Sequence, residues 1–168
     1  RSAHVERLGT LENIAIAKCE IASNLKKDGI FIGIDTAKIK NHLKFDGKKI
    51  FTKLEDVENI EISVDLTKFK YKGVEYQITQ PGEYNISNTL LVIEAGLSYG
   101  INIENIQKGL FEYRPIEKRW EKTQIKDFTI INDSYNANPE SMNAVLKTFL
   151  AIYKRPIILV LGDMGELG

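Results

Sequence analysis

Between residues 130 and 142 the chain changes from apolar to densely polar and back: Ile130-Ile131-Asn132-Asp133-Ser134-Tyr135-Asn136-Ala137-Asn138-Pro139-Glu140-Ser141-Met142. A carboxylate, hydroxyls and carboxamides this close together can accept from and donate to a polar ligand. Phe128, Thr129, Ile130 and Ile131 read as a buried strand that ends where the polarity switches. Asn138 suits an N-cap and Pro139 a first helical turn. Met142, Val145, Leu146, Phe149 and Leu150 then recur at helical spacing. A polar loop at the carboxyl end of a strand is where open α/β sheets bind ligands. The plainer alternative is that Asp133 and Asn138 only turn and cap the chain, as Asp and Asn after strands usually do.

A second chemical candidate is Lys18. Thr10 can cap a helix from Leu11 to about Lys26, with Ile14, Ile21 and Leu25 on its apolar stripe, and Lys18 falls on that stripe. Its stem is expected to be buried. The bland outcome is a lysine whose amine snorkels to water. The sharper one is a desolvated, neutral amine that acts as a base or nucleophile, or that adds carbon dioxide to become an anionic carbamate able to hold a metal. His4 and Glu6, just upstream, are types that could share such a metal.

Composition limits what these groups can serve. The 168 residues are 43% hydrophobic and 27% charged, enough for one good core or two small ones in an ordinary globular protein. With 23 basic and 23 acidic residues, no global field favours nucleic acid or an anionic membrane, so an anion must be caught locally. The lone Cys19 excludes an intrachain disulfide and a cysteine-based zinc cluster. No apolar run approaches the roughly 20 residues of a membrane span, and the first residues lack a signal-peptide core. A cytoplasmic setting is expected.

The positioning elements follow from periodicity. Residues 29–35 read as a buried strand ending in Asp35, followed by a helix over 36–45. Short strands over 49–53, 61–66, 68–72 and 74–79 give an antiparallel middle, with Lys72-Gly73 as a hairpin turn. Pro81-Gly82-Glu83-Tyr84 breaks this pattern, and helices are expected over 85–98, with Gly100 past the end, and over 103–112. The charged, proline-containing stretch 114–121 is the best domain junction, dividing the chain into 1–114 and 115–168. Residues 157–161 should form a strand ending at Gly162-Asp163-Met164-Gly165, which makes 125–168 one β-α-β unit.

Asp133-Ser134-Tyr135-Asn136-Ala137-Asn138-Pro139-Glu140-Ser141-Met142, followed by Val160-Leu161-Gly162-Asp163-Met164-Gly165-Glu166-Leu167-Gly168, resembles the Mur ligases, and within them the MurF branch. Ala3-His4-Val5-Glu6-Arg7-Leu8-Gly9-Thr10, continuing to Lys18, is similar to the segment of the family's central domain that carries a metal-binding histidine and a carbamylated lysine. Asn85 and Asn88 resemble the asparagine pair beside adenine, and Arg119 the arginine that enters the nucleotide site from the domain junction. The resemblance spans nearly the whole chain in order.

It implies an α/β fold: part of a Mur ligase central ATP-binding domain, with a parallel sheet and small antiparallel strands, then the first β-α-β of a Rossmann-like carboxy-terminal domain. It also implies an ATP-dependent ligase that adds D-alanyl-D-alanine to UDP-N-acetylmuramoyl-tripeptide through an acyl phosphate, in peptidoglycan precursor synthesis. By analogy, His4 and carbamylated Lys18 hold Mg2+, Asn85 and Asn88 contact adenine, Arg119 approaches the phosphates and Asp133 binds the ribose side. Tyr135, Asn136 and Asn138 lie where dipeptide and phosphates meet. The family's Gly-Lys-Ser/Thr phosphate loop and its amino-terminal UDP-binding domain are not in these 168 residues. The stretch is therefore expected to be a fragment that does not catalyse alone and whose partners include other domains of the same polypeptide. Two positions depart from the family pattern: Tyr84 stands for a histidine, and Lys118 for the glycine before the arginine. The competing readings are another Mur-type ligase, acting on a folate or a different peptide precursor, and a nucleotide-binding module without chemistry.

Overall fold

A computed structural model of the chain describes residues 8–164, so His4, Glu6 and residues 165–168 lie outside the described residues. The first helix, α1 (Leu11–Cys19), starts as its sequence requires: the Thr10 side chain accepts from the Asn13 N–H. It is shorter than its apolar spacing suggests. After Cys19 the chain tightens into a 3-10 helix, Glu20–Asn24, whose three-residue turn rotates Ala22 inward and leaves Ile21 74% exposed. The stripe expected to bury Lys18 therefore dissolves, and Lys18 is exposed.

Next come β1 (Ile30–Ile34), α2 (Ala37–His42) and β2 (Lys48–Thr52). The strand at 48–52 was expected in the antiparallel group, but it pairs parallel to β1, Ile32 opposite Ile50. The α2 crossover explains this, because a helix between two strands returns the chain in the same direction. Ala22, Phe31 and Phe45 form a small core beneath it, with Ile39, Leu43 and Phe51 packed alongside. Helix α1 is tied to α2 where His42 Nε2 meets Glu12 Oε1.

The main core is built on β3 (Val57–Ile62), β4 (Thr67–Tyr71) and β5 (Val74–Ile78), antiparallel in that order. Lys72 and Gly73 both take positive φ, 49° and 79°, which is what a tight primed hairpin turn demands. One face of this sheet carries Phe69, Tyr71, Tyr76 and Ile78. Against it lie Ile86, Leu90 and Ile93 of α3 (Glu83–Ser98) and Ile106 and Leu110 of α4 (Ile103–Glu112). Helix α3 also packs on β1 and β2, so one helix serves both sheets. Its only buried carboxylate, among the described residues, is Glu94, 3% exposed. The Tyr71 hydroxyl donates to Glu94 Oε1 at 2.9 Å and Lys72 Nζ approaches the same oxygen at 2.6 Å.

The rest of the chain comprises β6 (Glu121–Ile125), β7 (Phe128–Asn132) and α5 (Pro139–Ile152). Strand β6 was not anticipated, because Glu-Lys-Thr-Gln-Ile has no apolar face, and it pairs antiparallel with β7 as a hairpin. Strand β7 is not buried: Phe128 is 66% exposed. Residues 157–161 form no ladder with another strand, and Val160 is 92% exposed. The apolar run is present, but nothing among the described residues pairs with it, so the expected β-α-β is represented here by β7 and α5. No helix among the described residues is long and apolar enough to cross a membrane.

Leu90, fully buried at the centre of the α3 face, and Val92, 55% exposed on the same helix, give a direct test of this packing. Leu90→Ala is expected to lower unfolding free energy by about 2–5 kcal/mol. Val92→Ala should change it by less than about 0.5 kcal/mol, both read from urea denaturation midpoints.

Candidate functional site

The start of α3 is set by Gly82, whose φ of 104° is a conformation that side-chain-bearing residues avoid. A Cβ there would lie 2.6 Å from Tyr84 Cε1 and 3.0 Å from Thr148 Oγ1, so the Tyr84 ring folds back over Gly82 and α5 closes on the same spot. From this turn Asn85 and Asn88 emerge on one face of the helix. Asn85 is half-buried and donates from Nδ2 to the Pro81 carbonyl at 2.8 Å, whereas Asn88 is exposed. The Tyr84 phenol is pushed up to about 12, chiefly by burial and then by the charge of Asp133. The amino end of α3 and the β7–α5 loop thus face each other, bringing Asn85 and Asp133 to one place although they stand on different parts of the chain.

Two hydrogen bonds pin the 133–138 loop to the segment before β6. The Trp120 N–H donates to Asp133 Oδ1 at 3.1 Å, and the Tyr135 N–H donates to the Lys118 carbonyl at 3.1 Å. Arg119 lies between these anchors, with its guanidinium carbon 4.3 Å from the centroid of the Tyr135 ring. Burial raises the pKa of the half-buried Asp133 carboxyl, against the lowering effects of the Trp120 N–H and the Arg119 charge. Folding therefore disfavours its ionised form.

The rest of the loop is organised by its own amides. Asn138 makes a reciprocal capping box with Ser141, so its side-chain oxygen is committed to the N-terminus of α5. Asn136 Oδ1 accepts from the Ala137 N–H at 2.8 Å, and Asn136 and Tyr135 are exposed. The capping role and a ligand role are thus not alternatives: Asn138 caps, while Asp133 and Tyr135 look toward the junction.

Several residues that shape the site were not singled out from the sequence. Trp120 is 9% exposed and stacks edge-on against Phe149 of α5, which fixes the far side of the Arg119 turn. Gly82 and Thr148 bring α3 and α5 together. The Pro81-Gly82 pair and the single Trp beside Arg119 were the available signals. Lys18 stands on α1, exposed. Among the described residues no group of three or more His, Cys, Asp or Glu could hold a metal.

Lys118 explains its own departure from the family pattern. Its φ is 61°, the left-handed region where glycine is at ease, and Trp120 on the other side of Arg119 has φ 48°. The lysine keeps the glycine's geometry because the Lys118 N–H donates to Glu121 Oε2 at 3.1 Å and its carbonyl accepts from Tyr135. Lys118→Gly is expected to leave the arginine in place and raise stability by up to about 1 kcal/mol. Lys118→Val should lower it by about 1–2 kcal/mol, measured by chemical denaturation.

Two family domains match this sequence. Residues 1–96 match the Mur ligase middle domain, and residues 118–168 match the glutamate ligase domain of the Mur ligases. A UDP-N-acetylmuramoyl-tripeptide--D-alanyl-D-alanine ligase of Bacillus subtilis is 35% identical over 99% of this chain and 38% of its own length. Its Escherichia coli counterpart is 30% identical over 99% of this chain and 40% of its own length. The chain thus spans about two-fifths of the length of these relatives. Among solved structures, MurF from Acinetobacter baumannii superposes with a TM-score of 0.89 at 27% identity, covering 100% of this chain and 39% of that one. MurF from Thermotoga maritima in complex with ADP shares the fold, with a TM-score of 0.84 at 21% identity over 99% of this chain and 41% of that one. With both matched domains in order and the loops between them in contact, the chain belongs to the Mur ligase family.

Proposed function

We propose that the polypeptide carrying this chain is an ATP-dependent ligase that joins D-alanyl-D-alanine to UDP-N-acetylmuramoyl-tripeptide, in the cytoplasm, for peptidoglycan synthesis. The observation that supports the reading is that the α3 start and the Asp133 loop face each other, since the residues we assign to the nucleotide, Asn85, Arg119 and Asp133, stand on those segments and beside them. We put the boundary between those domains after residue 114.

In this reading the tripeptide carboxylate takes the γ-phosphoryl group of ATP and ADP leaves. The amine of the dipeptide then displaces phosphate and closes the amide. Anionic oxygens crowd together at each stage, and oriented positive charge is what such a site must supply. Asn85 and Asn88 hold the adenine side, and Asp133 receives the ribose hydroxyls. Arg119 faces the phosphates, and the exposed Tyr135 and Asn136, with the half-buried Asn138, stand where the phosphates and the incoming dipeptide meet.

Magnesium, which neutralises phosphate charge and polarises the transferred group, is assigned to His4 and carbamylated Lys18. Only the carbamate matches the oxygen ligands that Mg2+ prefers, alongside the waters and phosphate oxygens it keeps; His4 lies outside the described residues.

Two experiments bear on this reading. The complete protein, incubated with ATP, magnesium, UDP-N-acetylmuramoyl-tripeptide and D-alanyl-D-alanine, is expected to release phosphate and yield the pentapeptide. Well-folded protein that does neither sinks the assignment. Lys18→Ala is expected to abolish turnover, with partial rescue by small carboxylates that replace the missing anion. The exposure of Lys18 is the one observation favouring a nucleotide-binding module without chemistry, and normal turnover by Lys18→Ala would return it to a surface lysine.

A further inference from the structure

Among the residues of the Asp133 loop, one makes a contact with Arg119 that neither capping nor core packing requires. We propose that Tyr135 is a positioning residue for Arg119: its ring is the seat on which the guanidinium is held, ready for the phosphates. This rests on the ligase reading above and divides the role of Tyr135 from those of Asn136 and Asn138.

The geometry brackets the arginine at every level. Its backbone neighbours are each tied to the opposing loop, Trp120 through its N–H to Asp133 Oδ1 and Lys118 through its carbonyl to the Tyr135 N–H. The second bond belongs to the residue whose ring carries the guanidinium, so the Tyr135 backbone is held beside Arg119. Lys118 and Trp120 are both left-handed, at φ 61° and 48°, which turns Arg119 outward at the crest between them. Arg119 and Tyr135 are exposed, so burial does not fix their rotamers, and the guanidinium carbon lies over the Tyr135 ring at 4.3 Å from its centroid.

The chemistry gives stacking a specific advantage. A guanidinium held by a carboxylate presents its in-plane N–H groups to that partner. A guanidinium resting on an aromatic face is held through its π surface and keeps its fork of N–H donors directed outward in the plane. An arginine meant to receive phosphate oxygens is best pre-oriented in this second way. Asp133, close enough for the Arg119 charge to lower its pKa, adds attraction from the side.

A double-mutant cycle in the complete enzyme tests the proposal. Tyr135→Leu is expected to lower kcat by on the order of tenfold, the range of a cation–π contact, while KM for D-alanyl-D-alanine shifts by less than about threefold. Tyr135→Phe should recover most of that loss. In an Arg119→Ala background, Tyr135→Leu should cost no more than about twofold, because its route to the reaction is already gone. Tyr135→Phe falling as far as Tyr135→Leu would assign the effect to the hydroxyl, and an undiminished loss in the Arg119→Ala background would make Tyr135 independent of the arginine. Either result overturns the proposal. An activity-free arm separates it from the ligase reading: with selectively labelled arginine, the Arg119 side-chain protons should be shifted upfield by the ring in wild type and Tyr135→Phe, and not in Tyr135→Leu. Wild-type protein with that shift but no turnover refutes the ligase reading alone, and wild-type protein without the shift refutes the seat.

Discussion

Everything near the site depends on one helix staying sunk in one sheet. Ile86, Leu90 and Ile93 of α3 are completely buried against β4 and β5, and each contributes roughly 1.5–3 kcal/mol through the apolar area it removes from water. Those three positions lie along the same helix that begins at Gly82 and carries Asn85 and Asn88, so the core sets where the carboxamides point. Rotation about the helix axis is resisted by Glu94. Glu94 is buried and meets both the Tyr71 hydroxyl and Lys72 in the hairpin that terminates β4, although Lys72 is itself 55% exposed and solvent screens that pair. That cluster is weak evidence for net stability, since an apolar replacement of the whole group could do as well. It is better understood as a registration device, which makes the amino end of α3 a rigid platform.

The segment facing that platform is held by a different balance. Left-handed backbone at Lys118 and Trp120 costs roughly 1–2 kcal/mol at each residue. A hydrogen bond to a charged acceptor, such as the Trp120 N–H to Asp133, returns about 1.5–3 kcal/mol, and the Tyr135 N–H to Lys118 about 0.5–1.5 kcal/mol. The terms are of similar size, so the unusual conformation persists only while both loops are together. Packing of Trp120 on Phe149 tips the balance, because it buries the chain's one tryptophan.

The sequence was most legible where local chemistry decides the outcome. Thr10 and Asn138 cap the helices they were expected to cap, Lys72-Gly73 makes its turn, and α4 has the bounds its spacing suggested. It was least legible where tertiary pairing decides. Nothing in Lys49-Ile50-Phe51 says whether its neighbour runs parallel, and Glu121-Lys122-Thr123-Gln124 looks like a linker until β7 pairs with it. Lys18 illustrates the same limit. Its place on a stripe held only if the helix remained α-helical through Ile21, and the 3-10 turn at Glu20 ended that periodicity. For the candidate site, the family motifs pointed to Asn85, Arg119 and Asp133, but the contacts around them come from Gly82, Trp120, Thr148 and Phe149, whose types are ordinary and whose importance is purely spatial.

The contacts between the two parts of the site are modest. Lys122 and Asp65 meet at 2.6 Å, but both are exposed, so the pair is worth under about 1 kcal/mol and weakens further in salt. Gly82 and the Tyr84 ring also approach Thr148 of α5. A ligand that touches Asn85 on one side and Asp133 on the other would add its own contacts to this seam. By linkage, it would stabilise the aligned arrangement to the extent that it binds that arrangement better than a separated one. The weakness of the seam and the rigidity of α3 are therefore complementary: one side of the site is fixed by its core, and the other is brought to it by whatever the site binds.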